Sequence, residues 1–466
     1  GALGGAKGFQ VPMDASPAAV SSKARASTSK WIDEFACAAL CQLILDDRRI
    51  GSTSDVGAPL RRRRALPPFL YVEAISPFLR FDGLLPNMLY AFGGRNQEDG
   101  PLNTVEIFNT WHGCWVRGPP MPKRRAGSAA ALLDDGRMMI IGGYNERGIA
   151  EGLLASCDIF DPLAGTWIED GAAPLARARW GHGCASLQGK VYVVGGCSLQ
   201  LDAPLQESFM ETLRQCEIYL PKENRWIPTA PLQIARSGTR VVALGSRVLT
   251  AIGGCDDVFG RAETQPTVEL YDIENQHWSV LEHRLIHPRT TAGAAAIDGK
   301  ALLVVGGAPS FSTVEVYRVP TADAGFSARE EEKVADLSDG RMGCQAAVLA
   351  LPSPEKTYPV VERRCVVVIG GERCDEDVAE FARIRQLAGV PVFDTEMGHW
   401  RKDDVVPPLP CPRTAVAVCV GLARAEMPAR PELSDNTRPG SSSMEEDDED
   451  GESDEDFDLV RRNIPF

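Results

Sequence analysis

Short apolar runs along the chain end repeatedly on a pair of glycines. Six are present: Tyr90-Ala91-Phe92-Gly93-Gly94, Met139-Ile140-Ile141-Gly142-Gly143, Tyr192-Val193-Val194-Gly195-Gly196, Thr250-Ala251-Ile252-Gly253-Gly254, Leu303-Val304-Val305-Gly306-Gly307 and Val368-Ile369-Gly370-Gly371. Successive first glycines stand 49, 53, 58, 53 and 64 residues apart. A brief apolar run stopped by glycine reads as a buried strand, and its recurrence at this period marks a repeat architecture. Beyond each doublet, across a loop of variable length, lies an aromatic residue that usually has a Trp seven positions later. The pairs are Phe108 and Trp115, Phe160 and Trp167, Tyr219 and Trp226, Tyr271 and Trp278, and Phe393 and Trp400. Tyr317 breaks the rule, because Ala324 stands where its Trp would be.

The fixed offset predicts a hairpin. Turn-forming residues separate the two aromatics, as in Asp161-Pro162-Leu163-Ala164-Gly165 and Asp394-Thr395-Glu396-Met397-Gly398. A four-residue loop places the rings nearly opposite one another on adjacent strands, on one face of the sheet. Each doublet closes the strand before the hairpin, where missing side chains allow positive φ and close approach between packed sheets. A further strand ahead of each doublet strand, 128 to 133 in the second unit, brings every unit to four.

These residues resemble the Kelch repeat, over about 70% of the chain from Leu89 to Leu422. The resemblance implies an all-β fold, a six-bladed propeller of four-stranded blades around a central channel. The first doublet strand has no innermost strand before it, since 80 to 87 reads as short and turn-like. Pro412-Arg413-Thr414-Ala415-Val416-Ala417-Val418-Cys419-Val420 repeats the innermost-strand pattern with no doublet after it. The C-terminal strand is therefore expected to complete the first blade and remove an open edge. On this reading residues 1–87 are a largely disordered flank with one helical segment at Trp31 to Leu45, 88–424 are the propeller, and 425–466 are an acidic disordered tail.

An arginine precedes each innermost strand: Arg125, Arg179, Arg236, Arg289, Arg341 and Arg413. Their shared position predicts a ring near one mouth of the channel. One reading pairs each with an acidic residue of its own blade, because Glu106, Asp158, Glu217, Glu269 and Glu315 all lie two positions before a blade aromatic. Repeated pairs of this kind ordinarily report repeated architecture. The other reading turns these arginines to solvent as partner-binding residues for acidic peptides, as the resemblance to Kelch substrate adaptors of cullin-type ubiquitin ligases implies, with Arg179 and Arg236 the best matches. Arg341 stands apart, because its blade has Pro391 at the carboxylate position.

Loops on one face are expected to carry specificity. The two long ones after doublets are Cys197 to Gln215 and Glu372 to Gly389. In the second, Asp375 to Ala388 reads as a helix with Val378, Phe381, Ile384 and Leu387 in an apolar stripe. A third insertion, Pro352 to Val361, falls between the first two strands of its blade.

Charge refines the picture. Of the net −15, the eleven acidic residues between Glu445 and Asp458 contribute −11 and leave −4 for the rest, so the acidity belongs to a tail. Nothing here favours nucleic acid as partner. No run of 18 apolar residues exists, so no membrane span is expected, and no membrane is assigned as a partner. Thirteen cysteines without a C-x-x-C pair read as reduced thiols, which places the protein in the cytoplasm or nucleus. Catalysis is the competing class, since propeller enzymes such as galactose oxidase carry copper on Tyr, His and a Tyr–Cys crosslink. Only six histidines are present, without metal-ligand spacing, and His182 and His287 alone fall near the channel. The sequence thus points to a protein-interaction module without cofactor or catalytic residues, recruiting other proteins by loops and an arginine-lined mouth, with a ligase adaptor as the specific form.

Overall fold

The computed structural model describes residues 84–110, 112–200, 210–256, 264–319, 334–354, 362–374, 384–403 and 405–424. They form six antiparallel sheets around an axis. Blade 2 is Ala129–Leu132, Met138–Ile141, Cys157–Asp161 and Thr166–Ala172, in that order from the axis outward. Blade 3 (Gly183–Leu187, Lys190–Val194, Cys216–Leu220, Arg225–Thr229) and blade 4 (Arg240–Leu244, Val248–Ile252, Val268–Asp272, His277–Val280) repeat it. Blade 5 shows Gly293–Ala296, Ala301–Val305 and Val314–Arg318, while the stretch that follows, 320–333, lies outside the described residues. Blade 6 consists of Gln345–Pro352, Glu362–Ile369, Val392–Asp394 and His399–Trp400, with the expected insertion between its first two strands.

Blade 1 is assembled from both ends of the propeller. Its order is Ala417–Arg424, Leu84–Phe92, Val105–Asn109, Cys114–Gly118, so the C-terminal strand takes the axial place. The axial strands of successive blades then touch in a closed cycle, in which Ala417–Arg424 meets both blade 6 and blade 2. The segment read as turn-like before Leu89 is already strand from Leu84. Asn87 sits within it at φ 64°, a conformation asparagine tolerates, and its amide bonds Ala350 in both directions (2.7 and 3.1 Å).

Every aromatic pair takes its expected register. Phe108, Phe160, Tyr219, Tyr271 and Phe393 lie directly opposite Trp115, Trp167, Trp226, Trp278 and Trp400. Ring centroids are 5.0 to 5.4 Å apart. Four of the indoles also reach back one blade. Trp115, Trp167, Trp226 and Trp400 donate Nε1–H to the carbonyls of Pro407, Pro119, Ala173 and Ala335 at 2.7 to 2.9 Å. In blade 5, which lacks the Trp, the Tyr317 hydroxyl donates to the His283 carbonyl at 2.8 Å and does the same work.

The core lies between blades. Blade 2 side chains Ala131, Met139 and Ile159 pack with Val191, Val193 and Tyr219 of blade 3, and comparable clusters join blades 3 and 4, 4 and 5, 5 and 6, and 6 and 1. Between blades 1 and 2 the seam is aromatic, with Tyr90 and Phe92 against Phe160 and Phe92 edge-on to Trp167. Such sheets approach closely only if the doublets stay bare. The paired glycines have φ of 56 to 64° and 85 to 104°, and a Cβ on Gly253 would fall 2.3 Å from the Arg289 carbonyl oxygen.

One expectation is corrected in part. Ile384–Gln386 is a strand and not helix, paired with Glu372–Cys374. Similar short hairpins follow the doublets of blades 1 and 3. Pairing across the loop mouth therefore overrides the local helical pattern at 384–386, and 375–383 lie outside the described residues. The flank, its helical segment, the 201–209 part of the blade 3 loop and the acidic tail lie outside them as well. Among the described residues, no helix is long and apolar enough to cross a membrane.

Candidate functional site

The six arginines form a repeated device, and each is 0–1% exposed. Arg236 shows the pattern. Its Nη1 donates to the carbonyls of Gly253 (2.8 Å) and Thr267 (3.0 Å), its Nη2 to the Thr267 hydroxyl (2.6 Å), and its Nε to Glu269 (3.0 Å). Arg125 pairs likewise with Asp158 at 2.7 Å, Arg289 with Glu315 at 2.7 Å and Arg413 with Glu106 at 3.3 Å; Arg179 pairs with Glu217. Arg341 has no carboxylate partner among the described residues and bonds the carbonyls of Gly370 (3.1 Å), Gly389 (2.9 Å) and Asp339 (3.3 Å). Burial draws the pKa of Arg179, Arg236, Arg289, Arg341 and Arg413 down from the arginine value, with the carboxylates of the paired four opposing it.

The arginines also link one blade to the next. The second glycine of each doublet donates its N–H to the backbone carbonyl of the next blade's arginine: Gly94 to Arg125, Gly143 to Arg179, Gly196 to Arg236, Gly254 to Arg289, Gly307 to Arg341 and Gly371 to Arg413, at 2.8 to 2.9 Å. Each arginine in turn donates Nη1 to the first doublet glycine of its own blade, and Arg413 closes the circuit on Gly93 at 3.0 Å. The sequence showed that these arginines recur but could not show their direction. The geometry turns them into the blades, away from a solvent-facing mouth.

Two residues beyond each arginine, the backbone forms a second ring, tight around the axis. Gly127, Gly181, Gly238, Thr291, Gly343 and Ala415 all have φ between 51 and 66°. Each donates its N–H to the carbonyl of the preceding member, and Gly127 donates to Ala415, at 2.8 to 3.0 Å throughout. The channel at this level narrows to a cavity of about 40 Å³, lined among others by Ser128, His182, Arg240 and Thr291. That volume holds water-sized occupants only. His182 is neutral there: burial, with Arg179 adding, pushes its pKa down to about 3. His287 is partly exposed near the start of blade 5, and among the described residues no group of three His, Cys, Asp or Glu side chains is placed to hold a metal.

Around this neck, the residue after each arginine pairs with the residue after its blade's doublet. The bridges join Ala126 to Tyr144, Trp180 to Cys197, Ser237 to Cys255, Thr290 to Ala308, Met342 to Glu372 and Thr414 to Arg95. Here the blades diverge. Tyr144 and Trp180 stack edge to face at 5.9 Å across the seam of blades 2 and 3. Arg95 and Glu372 bridge blades 1 and 6 at 3.3 Å, where burial raises the Glu372 pKa and Arg95 opposes it. Sequence reasoning passed over these positions, although aligning the residue after each doublet would have isolated them. Outside them the face carries exposed Arg124, Arg147 and Arg385.

A family model matches the stretch that holds the first five of these glycine doublets. The KLHDC2/KLHL20/DRC7 Kelch-repeats domain fits residues 84–307. Over that stretch the chain is similar to Kelch-repeat propellers. Kelch-like protein 25 of Xenopus tropicalis is 30% identical over 241 residues, covering 52% of this chain and 37% of that relative. Kelch-like protein 23 of Homo sapiens is 24% identical over 333 residues, 71% of this chain and 50% of its own. Kelch-like protein 36 of Mus musculus is 30% identical over 200 residues, 42% and 30% respectively. The chain thus spans at most half the length of these relatives.

Proposed function

We propose that this propeller is a non-catalytic protein-interaction module that binds partner proteins on the face where the doublets and their loops gather. One observation carries the reading. A six-fold backbone scaffold repeats without exception, while the residues exposed beyond the doublets differ from blade to blade, with Gln97 and Asp99 in blade 1, Glu146 and Arg147 in blade 2, Asp256 in blade 4 and Arg385 in blade 6. Constant support beneath variable display is the physical design of a recognition surface. Exposed Arg124, Arg147 and Arg385 give that face cations for acidic segments of a partner. The resemblance of the repeat to that of cullin-ligase substrate adaptors extends the proposal to recruitment of a target for ubiquitination.

Affinity purification tests this with two charge-reversed proteins. Arg124→Glu, Arg147→Glu and Arg385→Glu alter the doublet face, whereas Arg225→Glu and Arg247→Glu alter turns on the opposite face. The proposal expects partners to be lost only with the first set, and a cullin to be retained by wild type. Partners unaffected by the first set and lost with the second overturn the choice of face; wild type without a cullin removes the ligase role.

A further inference from the structure

The chamber on the axis carries a charge that the fold leaves unanswered. Four residues beyond each arginine of the circuit, the innermost strands set one residue per blade just past the neck. Ala129, Gly183, Gly293 and Ala417 are small there, whereas blade 4 has Arg240 and blade 6 has Gln345. The room left by the small residues lets Arg240 extend past blade 5, where its Nη2 donates to the Cys344 carbonyl of blade 6 at 2.9 Å. Arg240 and Gln345 both line the cavity of about 40 Å³. Unlike five of the six circuit arginines, Arg240 meets no carboxylate among the described residues, and no Asp or Glu is among those lining the chamber.

Burial draws the Arg240 pKa down, with only the Cys344 and Cys184 thiols opposing it. Those thiols supply no negative charge at neutral pH, because burial raises both, Cys184 to about 12. Arginine nevertheless keeps its proton, so a full positive charge stands in the chamber. Uncommitted donors surround it. Arg240 Nε, Ser128 Oγ and Thr291 Oγ1 are buried and bond no described residue, and all three side chains line the same cavity. His182 joins them there, its imidazole kept neutral by burial chiefly and then by the charges of Arg179 and Arg240. The backbone offers no answer, since the N–H groups of the neck are spent on the cyclic bonds between blades.

A buried cation without a counter-charge is costly, and so is a buried hydroxyl without a bond. One small anion relieves both. Size selects it: a chamber that takes water-sized occupants only excludes carboxylate side chains and oxyanions such as phosphate, and leaves a halide. We propose that the axial chamber binds a chloride ion, held on Arg240 with the hydroxyls of Ser128 and Thr291 donating to it. The ion is the counter-charge that the chain itself does not supply, and it ties blades 2, 4 and 5 together from within the ring. The site stands apart from the doublet-face reading, because it lies inside the channel and uses none of Arg124, Arg147 or Arg385.

Thermal melts of the full chain in sodium chloride and in sodium gluconate at equal ionic strength test the site, gluconate being too large to enter. Wild type should melt higher in chloride, by an increment that grows with concentration as a single-site ligand requires. Bromide, a halide that its anomalous scattering locates, should give a peak beside Arg240 in crystals soaked with it. Arg240→Gln keeps donors but removes the charge, and should abolish the chloride increment over the same concentrations. Ser128→Ala leaves the charge and removes one hydroxyl, so it should shift the increment to roughly tenfold higher chloride, and it decides the matter if Arg240→Gln does not fold. A wild type that melts alike in both salts, an increment unchanged in the variants, or bromide-soaked crystals with water alone in the chamber overturns the proposal. None of these results touches partner capture by the doublet face.

Discussion

Replacing Arg236 by methionine probes the arginine circuit most sharply. The side chain has 0% exposure, and methionine fills much of its volume, so the change is mainly electrostatic. Glu269 is left buried without its cation, and it cannot turn away because it also accepts the N–H groups of Gln233 (2.7 Å) and Ile234 (3.1 Å). Breaking a buried ion pair from one side costs about 3–5 kcal/mol, and about 1 kcal/mol more follows from the donor lost to Gly253 and Thr267. Arg341→Met removes the same kind of group from blade 6 but orphans no carboxylate, so its cost should be about 2 kcal/mol. Adding Glu269→Gln to Arg236→Met should recover about 2 kcal/mol, because the amide keeps an acceptor oxygen and sheds the charge. Equilibrium urea unfolding read by tryptophan fluorescence gives these differences as midpoint shifts at constant slope. Equal losses for the two methionine variants, or a Glu269→Gln addition that makes matters worse, would refute the reasoning.

Three further outcomes follow from the same geometry. Gly253→Ala, with φ at 57° and a backbone oxygen 2.3 Å from the new Cβ, should cost more than about 2 kcal/mol by urea unfolding; Gly113→Ala, equally left-handed but in open space, should cost about 1 kcal/mol. Trp167→Phe keeps a ring opposite Phe160 but loses the 2.9 Å bond to Pro119, and should lower stability by about 1 kcal/mol plus the lost contact area. His182 titrates at about 3 when folded against 6.5 when free, so its neutral form supports the fold fully above pH 6.5 and that support declines as pH falls from 6.5 toward 3. His182→Gln should remove that part of the slope, up to about 1.4 kcal/mol per pH unit, in unfolding curves measured from pH 7 to 4.

The repeat, the aromatic register and the closure of blade 1 were legible because each depends on spacing along the chain. Phe160 and Trp167 sit opposite one another as their seven-residue offset requires, and Arg413 heads a strand pattern with no doublet to follow it. The carboxylate partners were legible for the same reason. What spacing does not encode is direction in space. Nothing in the sequence says that Arg236 points inward to Gly253 and not out to solvent, because that follows from the neighbouring blade fixing its carbonyl on Gly196. The hairpin at Ile384–Gln386 was hidden by a helical pattern that tertiary pairing with Glu372–Cys374 defeats. The strand before Leu89 was hidden by Asn87, whose turn-like identity here serves a local kink tied to Ala350. The positions beside the neck, Arg95 and Trp180 among them, share no residue type and so emerge only when the doublets and arginines are aligned with one another.

Ring closure by the C-terminal strand is the claim on which the rest depends. Residues 411–424 supply Arg413 to Glu106 and Gly93, Ala415 to the axial ring, and buried Val416, Ala417 and Cys419 to the seam. Their removal forfeits about 4–6 kcal/mol of apolar burial and strands Glu106 without its buried partner, a sum within the usual stability of a whole domain. The decisive measurement is the thermal melt of a chain ending at Pro410, alone and with a peptide of residues 411–424 added in excess. The truncated chain should lose its cooperative transition and regain it with the peptide. A truncated chain that melts at the temperature of the full chain, with or without the peptide, would contradict the closed circuit.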